Sequence, residues 1–248
     1  MIPPFTALIL AAGLGKRMKS DLPKVLHPAL GRPLVVHVLE QLKPLHPARV
    51  VAVVGHREEL VRAALEGRNV HFSTQSPQLG TGHAVQVAWP EVERGGDAVL
   101  VLAGDMPLVR TATLRRLLER HAQEVNAVTF LSGELDDPSG YGRVVRDRRG
   151  EFVKIVEEKE ATAAERKLDE VNSGVYCFSR PSLVDALGLL RADNSQKEYY
   201  LTDTLSLLKG RGMRVGIVQA SDPRELFGVN TPEQLAQVEE TLRAWGEG

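Results

Sequence analysis

The chain is 248 residues long and carries 31 Lys+Arg against 32 Asp+Glu, a formal net charge of −1. That length suits one large domain, or one domain with an appended piece. The near-neutral charge lacks the basic excess of a protein held on nucleic acid by phosphate contacts. With 43% hydrophobic and 25% charged residues the composition is that of a globular protein, which sets disorder aside. The lone cysteine, Cys177, excludes an intrachain disulfide and a Cys-rich zinc site and suits a reducing, cytoplasmic compartment. The opening Met-Ile-Pro-Pro-Phe-Thr lacks a leader pattern, and no apolar run is long enough to predict a membrane span.

In chain order, Thr6–Ala11 reads as a strand followed by a glycine-rich loop, and Pro33–Leu42 as a helix with proline at its start. Arg49–Val54 predicts a strand, Glu58–Leu65 a helix, Val70–Ser73 a short strand and Thr81–Trp89 a helix. Ala98–Ala103 predicts a strand, Thr111–Gln123 a helix and Ala127–Ser132 a strand. Short apolar runs of this kind suit strands buried on both faces. Their alternation with amphipathic segments predicts an α/β fold with a mostly parallel sheet and right-handed crossovers. The rhythm breaks at the polar, turn-rich Asp136–Gly150, after which Phe152–Val156 and Val171–Phe178 predict two more strands. The region after Ser132 is expected to form a smaller lobe over the ligand edge of the sheet. Pro232–Trp245 predicts a final helix whose apolar Leu235, Val238, Leu242 and Trp245 face either their own domain or another chain.

The most informative stretch is Leu8-Ile9-Leu10-Ala11-Ala12-Gly13-Leu14-Gly15-Lys16-Arg17-Met18. A buried strand runs into small residues and glycines, where backbone can approach a ligand and aim N–H groups at phosphate. Arg17 and Lys24 add a bidentate fork and a compact charge. Two better-known motifs are absent: there is no G-x-x-x-x-G-K-[ST], and Met18 stands where a dinucleotide fingerprint needs its third glycine. On spacing alone, an ordinary strand-to-helix turn with a solvated basic loop explains this stretch equally well.

The pattern Leu-x-Leu-Ala-Ala-Gly-x-Gly-x-Arg-Met, followed by Leu22-Pro23-Lys24-Val25-Leu26, resembles the signature of sugar-phosphate nucleotidyltransferases. Gln78–Ala84, Gly104–Leu108, Gly140–Arg143, Ile155–Lys159, Glu170–Gly174, Glu198–Asp203 and Gly228–Asn230 continue it in order. Together they resemble the uridyltransferase (pyrophosphorylase) domain of the bifunctional bacterial enzymes that make UDP-N-acetylglucosamine, over about Phe5 to Trp245. The resemblance implies a Rossmann-like nucleotidyltransferase fold: a mostly parallel mixed sheet flanked by helices, with a sugar-binding lobe contributed by about 133–200 and a C-terminal helix from 231. It implies Mg2+-dependent transfer of a uridylyl group from UTP to N-acetylglucosamine 1-phosphate.

By the same resemblance, Arg17 and Lys24 are catalytic. Leu10, Ala11, Ala12, Gly13, Lys24, Gln75, Gly80 and Thr81 bind the nucleotide, Gly142, Glu157 and Asn172 bind the sugar, and Asp105 and Asn230 hold Mg2+. Gln75, with the backbone at Gly80 and Gly82, would read the uracil edge, since an amide both donates and accepts. Plainer readings stand beside these. Asp105 is a turn former before Met106-Pro107, Asn230 a cap for the last helix, Thr81 a cap at a glycine-flanked helix start, and Glu157 part of a solvated charged run. His83 suits helix packing as well as substrate contact. Ser173 stands where the family usually has Thr, and Cys177 is expected to pack inside a strand.

The bifunctional enzymes continue into a left-handed β-helix acetyltransferase domain. This chain runs to Gly248 without a hexapeptide-repeat array, so acetyltransferase activity and the trimer contacts of that domain are not expected of it. Nothing in the residues defines an oligomeric state. Competing classes are the same chemistry with another nucleotide and sugar phosphate, a non-catalytic nucleotide-sugar sensor, and an NAD-dependent oxidoreductase, the last disfavoured by Met18.

Overall fold

The structure is a computed structural model describing residues 2–246, except the side chain of Lys16. In chain order the strands and helices are β1 (Phe5–Leu10), β2 (Pro28–Ala29), β3 (Arg32–Pro33), α1 (Leu34–Leu42), β4 (Arg49–Val54), α2 (Glu58–Ala64), β5 (His71–Thr74), α3 (Thr81–Val92), β6 (Ala98–Ala103), α4 (Thr111–Gln123) and β7 (Val128–Glu134). They continue with β8 (Gly142–Arg146), β9 (Phe152–Val156), β10 (Glu170–Ser179), α5 (Arg180–Leu187), α6 (Asp203–Gly210), β11 (Val215–Gln219) and α7 (Pro232–Ala244).

One 9-stranded sheet organises the molecule, with its main path in the order β11-β7-β10-β6-β1-β4-β5. The β1–β6, β1–β4 and β4–β5 pairs are parallel, as expected, and so is the β7–β11 pair. β10 is antiparallel to both β6 and β7, which makes the sheet mixed. β8 pairs with β10 and β9 with β8, both antiparallel, so the turn-rich lobe grows out of the main sheet through β10.

The apolar runs of β1 and β6 are uninterrupted because both faces of the sheet are covered. Phe5, Ala7 and Ile9 of β1 join Leu100 and Leu102 of β6 in one core with α1, α2 and α4. Leu8, Val99 and Val101 point into a second core with α3, α5 and α6. Cys177 lies fully buried in β10, as predicted. The stripe on α7 has its answer too: Val238 and Leu242 pack with Met18, Ala29, Leu34, Leu108 and Val229, so the helix closes on its own fold. Among the described residues, no helix is long and apolar enough to cross a membrane.

The sequence reading missed β2, β3, β8, β11, α5 and α6. Asp136–Gly150, read as turns, holds β8, whose Arg143 is buried at 2% exposure. A buried guanidinium does not look apolar in a sequence. Here it reaches Glu158 Oε2 at 2.8 Å and the Tyr141 carbonyl, and its charge is compensated inside the lobe.

His121 of α4 makes a stability prediction. It is buried beside Thr129, and burial pushes its pKa down to about 4. Between pH 4 and 6.5 the unfolded chain therefore takes up the proton more readily than the folded one, and stability falls as pH falls. The contribution at stake is about 3 kcal/mol. Urea unfolding across that window should show His121→Leu losing less stability on acidification than the parent; parallel pH profiles would contradict this.

Candidate active site

The site lies where β1 and β6 end side by side. The C-terminal edge of parallel strands is where open α/β sheets bind ligands, since the following loops diverge there. A cleft of about 400 Å3 opens at this edge. Leu10, Ala12, Gly13, Lys24, Gln75, Gly80, Thr81 and Asp105 line it, so most of the predicted nucleotide residues are brought together. Ala11 is buried behind them. A Cβ at Gly13 would project into open space, leaving bare backbone facing the cleft.

Lys24, Asp105 and Asn230 converge. The Lys24 Nζ pairs with Asp105 Oδ2 and donates to Asn230 Oδ1 at 3.0 Å. The Val229 N–H donates to the Asp105 carbonyl at 2.9 Å and sets the two loops side by side. Asn230 does not cap α7: that position belongs to Thr231, which accepts from Gln234 N. Two hard oxygens from different loops thus face one cationic centre, now the ammonium, which is the donor chemistry a divalent cation such as Mg2+ takes. Among the described residues no group of three or more His, Cys, Asp or Glu is placed so that it could hold a metal ion. A metal held by Asp105 and Asn230 would complete its shell with phosphate and water.

Gln75 departs from the expected picture. Its Nε2 donates to the Gly80 carbonyl at 2.9 Å and meets His83 Nδ1 at 3.2 Å. Oriented this way, the amide offers a ligand its acceptor oxygen, and its donor side is committed to the loop. Gly82 is buried and its N–H donates to the Tyr199 carbonyl at 2.7 Å, so it serves packing and is not presented to a base. Thr81 begins α3 without capping it; its Oγ1 accepts from Leu201 N at 3.0 Å.

Gly80 has a φ of +100, and a Cβ there would lie 2.6 Å from the Tyr199 carbonyl oxygen. Gly80→Ala should therefore cost roughly 1–3 kcal/mol in backbone strain, with overlap added to it. Urea unfolding measures the loss; an unchanged midpoint and slope would contradict it.

The three predicted sugar residues form a second cluster. Gly142 of β8 pairs with Asn172 of β10. Asn172 Nδ2 donates to the Tyr176 hydroxyl at 2.6 Å, and its Oδ1 accepts from Gly174 N, across an irregularity in β10. Glu157 accepts from the Thr202 hydroxyl at 2.8 Å, and burial pushes its pKa up, with Asp203 and Glu198 adding repulsion. It is therefore not the solvated carboxylate of a charged run. Tyr141, next to Gly142 in the chain, reaches toward the first cluster: its hydroxyl accepts from Gly228 N at 3.5 Å, near Asp105.

Arg17 is exposed in the short turn Lys16–Met18, outside the cleft lining; no hydrogen bond or ion pair holds it among the described residues. Glu198 and Gln78 line the cleft but were not singled out from sequence. Both lie inside recognised motifs, where residue type alone carried no signal.

A family model described as a MobA-like NTP transferase domain matches residues 7–201. The chain belongs to this family. It is a nucleotidyltransferase domain, and the cleft at the sheet edge is the candidate nucleotide site. Relatives named bifunctional protein GlmU agree: one from Syntrophomonas wolfei is 44% identical over 238 residues, covering 96% of this chain and 53% of the relative. One from Bordetella parapertussis is 49% identical over 242 residues, covering 96% and 52%. The chain spans about half the length of the curated relatives it matches. A solved structure from Bacillus anthracis, described as a "Putative Glucose-1-Phosphate Thymidylyltransferase" in complex with a sucrose, superposes with a TM-score of 0.78 at 19% identity, covering 96% of this chain and 95% of that one. At that identity the likeness is one of fold.

Proposed function

We propose that this nucleotidyltransferase domain transfers a uridylyl group from UTP to N-acetylglucosamine 1-phosphate, using Mg2+ and releasing pyrophosphate, in a cytoplasmic setting. The observation that carries the reading is a pair of clusters of suitable chemistry, with Glu198 of the cleft lining close enough to Glu157 to repel it. The Lys24–Asp105–Asn230 group beside bare backbone at Gly13 suits a triphosphate. The Gly142–Glu157–Asn172 group beyond Tyr141 suits the hydroxyls and amide of a sugar. The similarity to proteins named GlmU supports the same assignment.

A sugar 1-phosphate is already anionic near neutral pH, since the second pKa of a phosphate monoester is about 6. The chain therefore needs no strong base; it must align two anions that repel each other and balance the leaving charge. Arg17 and Lys24 supply cationic donors for the triphosphate. Gln75 offers an acceptor to the base, and Glu157 accepts from sugar hydroxyls. Asp105 and Asn230 would hold Mg2+, whose chemistry is to neutralise charge on the α-phosphate and the departing pyrophosphate.

Pyrophosphate release tests this, with UTP, dTTP and CTP each paired with N-acetylglucosamine 1-phosphate, glucosamine 1-phosphate and glucose 1-phosphate, with and without Mg2+. Release confined to UTP with N-acetylglucosamine 1-phosphate and Mg2+ is the expected result. Release with another pair would replace the substrates and keep the chemistry. Tight nucleotide-sugar binding without release from any pair would make the protein a sensor.

A further inference from the structure

We propose that Glu225 is a positioning residue that sets the spacing of Asp105 and Asn230, acting as a buried clamp between the loops that carry them. The inference rests on the metal-holding role proposed above for those two residues. Glu225 is 2% exposed and touches neither the cleft nor either ligand side chain. Its Oε2 accepts from the Arg110 N–H at 3.1 Å, and its Oε1 from the Thr113 hydroxyl at 3.0 Å. Arg110 occupies the N-cap position of α4, and its own side chain makes no capping bond. Its backbone N–H is bonded instead by a residue 115 positions away, while the Thr111 N–H that follows goes to Gln41 Oε1 at 3.0 Å.

That separation is the substance of the argument. The first turn of a helix leaves donors that any nearby polar side chain can satisfy. A local cap would do so without joining two loops. Glu225 begins the run that ends at Asn230, and Arg110 ends the run that begins at Asp105. The two runs are pinned near the site by Val229 N–H to the Asp105 carbonyl, and at their far ends by Glu225. Two pins fix the angle between the loops as well as their distance; one pin would leave a hinge. A buried carboxylate is costly, and burial does push its pKa up. Its place at a helix start that Gln41 already supports, with Arg110 and Arg116 offsetting its charge, is explained by the geometry it holds.

The test measures Mn2+ binding by electron paramagnetic resonance in the presence of UTP, without sugar phosphate, alongside thermal unfolding. Glu225→Ala should weaken Mn2+ binding by about tenfold, the low end of the loss seen when ligands lose the groups that orient them, because Glu225 orients them through their loops. Glu225→Gln should stay close to the parent, since an amide can accept from Arg110 N–H and donate to the Thr113 oxygen. Leu208→Ala, a cavity in the core on the other side of the sheet, controls for destabilisation; it should lower the melting temperature and leave Mn2+ binding unchanged. Parent-like binding by folded Glu225→Ala would overturn the clamp. So would equal weakening in Leu208→Ala, which would make the effect one of stability. A parent that binds no Mn2+ with UTP would overturn the metal reading on which the clamp rests.

Discussion

Asp105→Asn is expected to lose about 10²–10³-fold in pyrophosphate-releasing turnover, the scale of removing one preorganised electrostatic contact to developing charge. The change keeps the side chain's size and an oxygen, and removes the negative charge that attracts either Lys24 or a divalent cation. Stability should respond much less. The Lys24 and Asp105 side chains retain 18% and 12% exposure, and Lys24 keeps Asn230 Oδ1. The loss should thus fall short of the about 3–5 kcal/mol that breaking a fully buried pair costs. Raising Mg2+ should recover part of the turnover if the defect is in metal binding. Undiminished turnover at low Mg2+ would remove Asp105 from the machinery.

Arg17→Ala is expected to separate turnover from stability even more cleanly. Arg17 is exposed and, among the described residues, makes no hydrogen bond or ion pair. Its removal should change unfolding free energy by no more than about 0.5 kcal/mol, while turnover falls by about 10²–10³-fold. Arg17→Lys should recover only part of the loss, because an ammonium keeps the charge and gives up the planar fork that grips phosphate oxygens in pairs. Purified Arg17→Ala with parental turnover would defeat the role. Lys24 gives a contrasting case. Its ammonium holds Asp105 and Asn230, so truncating it alters the loops as well as the charge.

The sequence was most legible where one local property decides the outcome. β1 and β6 read correctly because strands covered on both faces need apolar residues throughout. α4 and α7 showed their stripes because helices with one wet face repeat at the helical period. β8 was illegible for the opposite reason: its buried residues include an arginine whose charge is compensated by Glu158. Site residues such as Asp105 and Asn230 were legible only as parts of an ordered motif series. Taken singly, a carboxylate after a strand and an asparagine before a helix serve turns and caps equally well.

The amino-acid sequence by itself determined the α/β class, the glycine-rich turn after β1, the burial of Cys177 and the family. Each follows from local periodicity, residue chemistry or motif order. The tertiary structure alone decided that β10 enters antiparallel between β6 and β7 and that α7 closes on its own fold. It decided that Gln75 spends its donor on Gly80, that Lys24 sits between Asp105 and Asn230, and that Glu225 bonds the start of a helix 115 residues away. These are choices of partner. A side chain's partner is set by which loops the sheet brings to one edge, and residues so far apart in the chain carry no local mark of meeting.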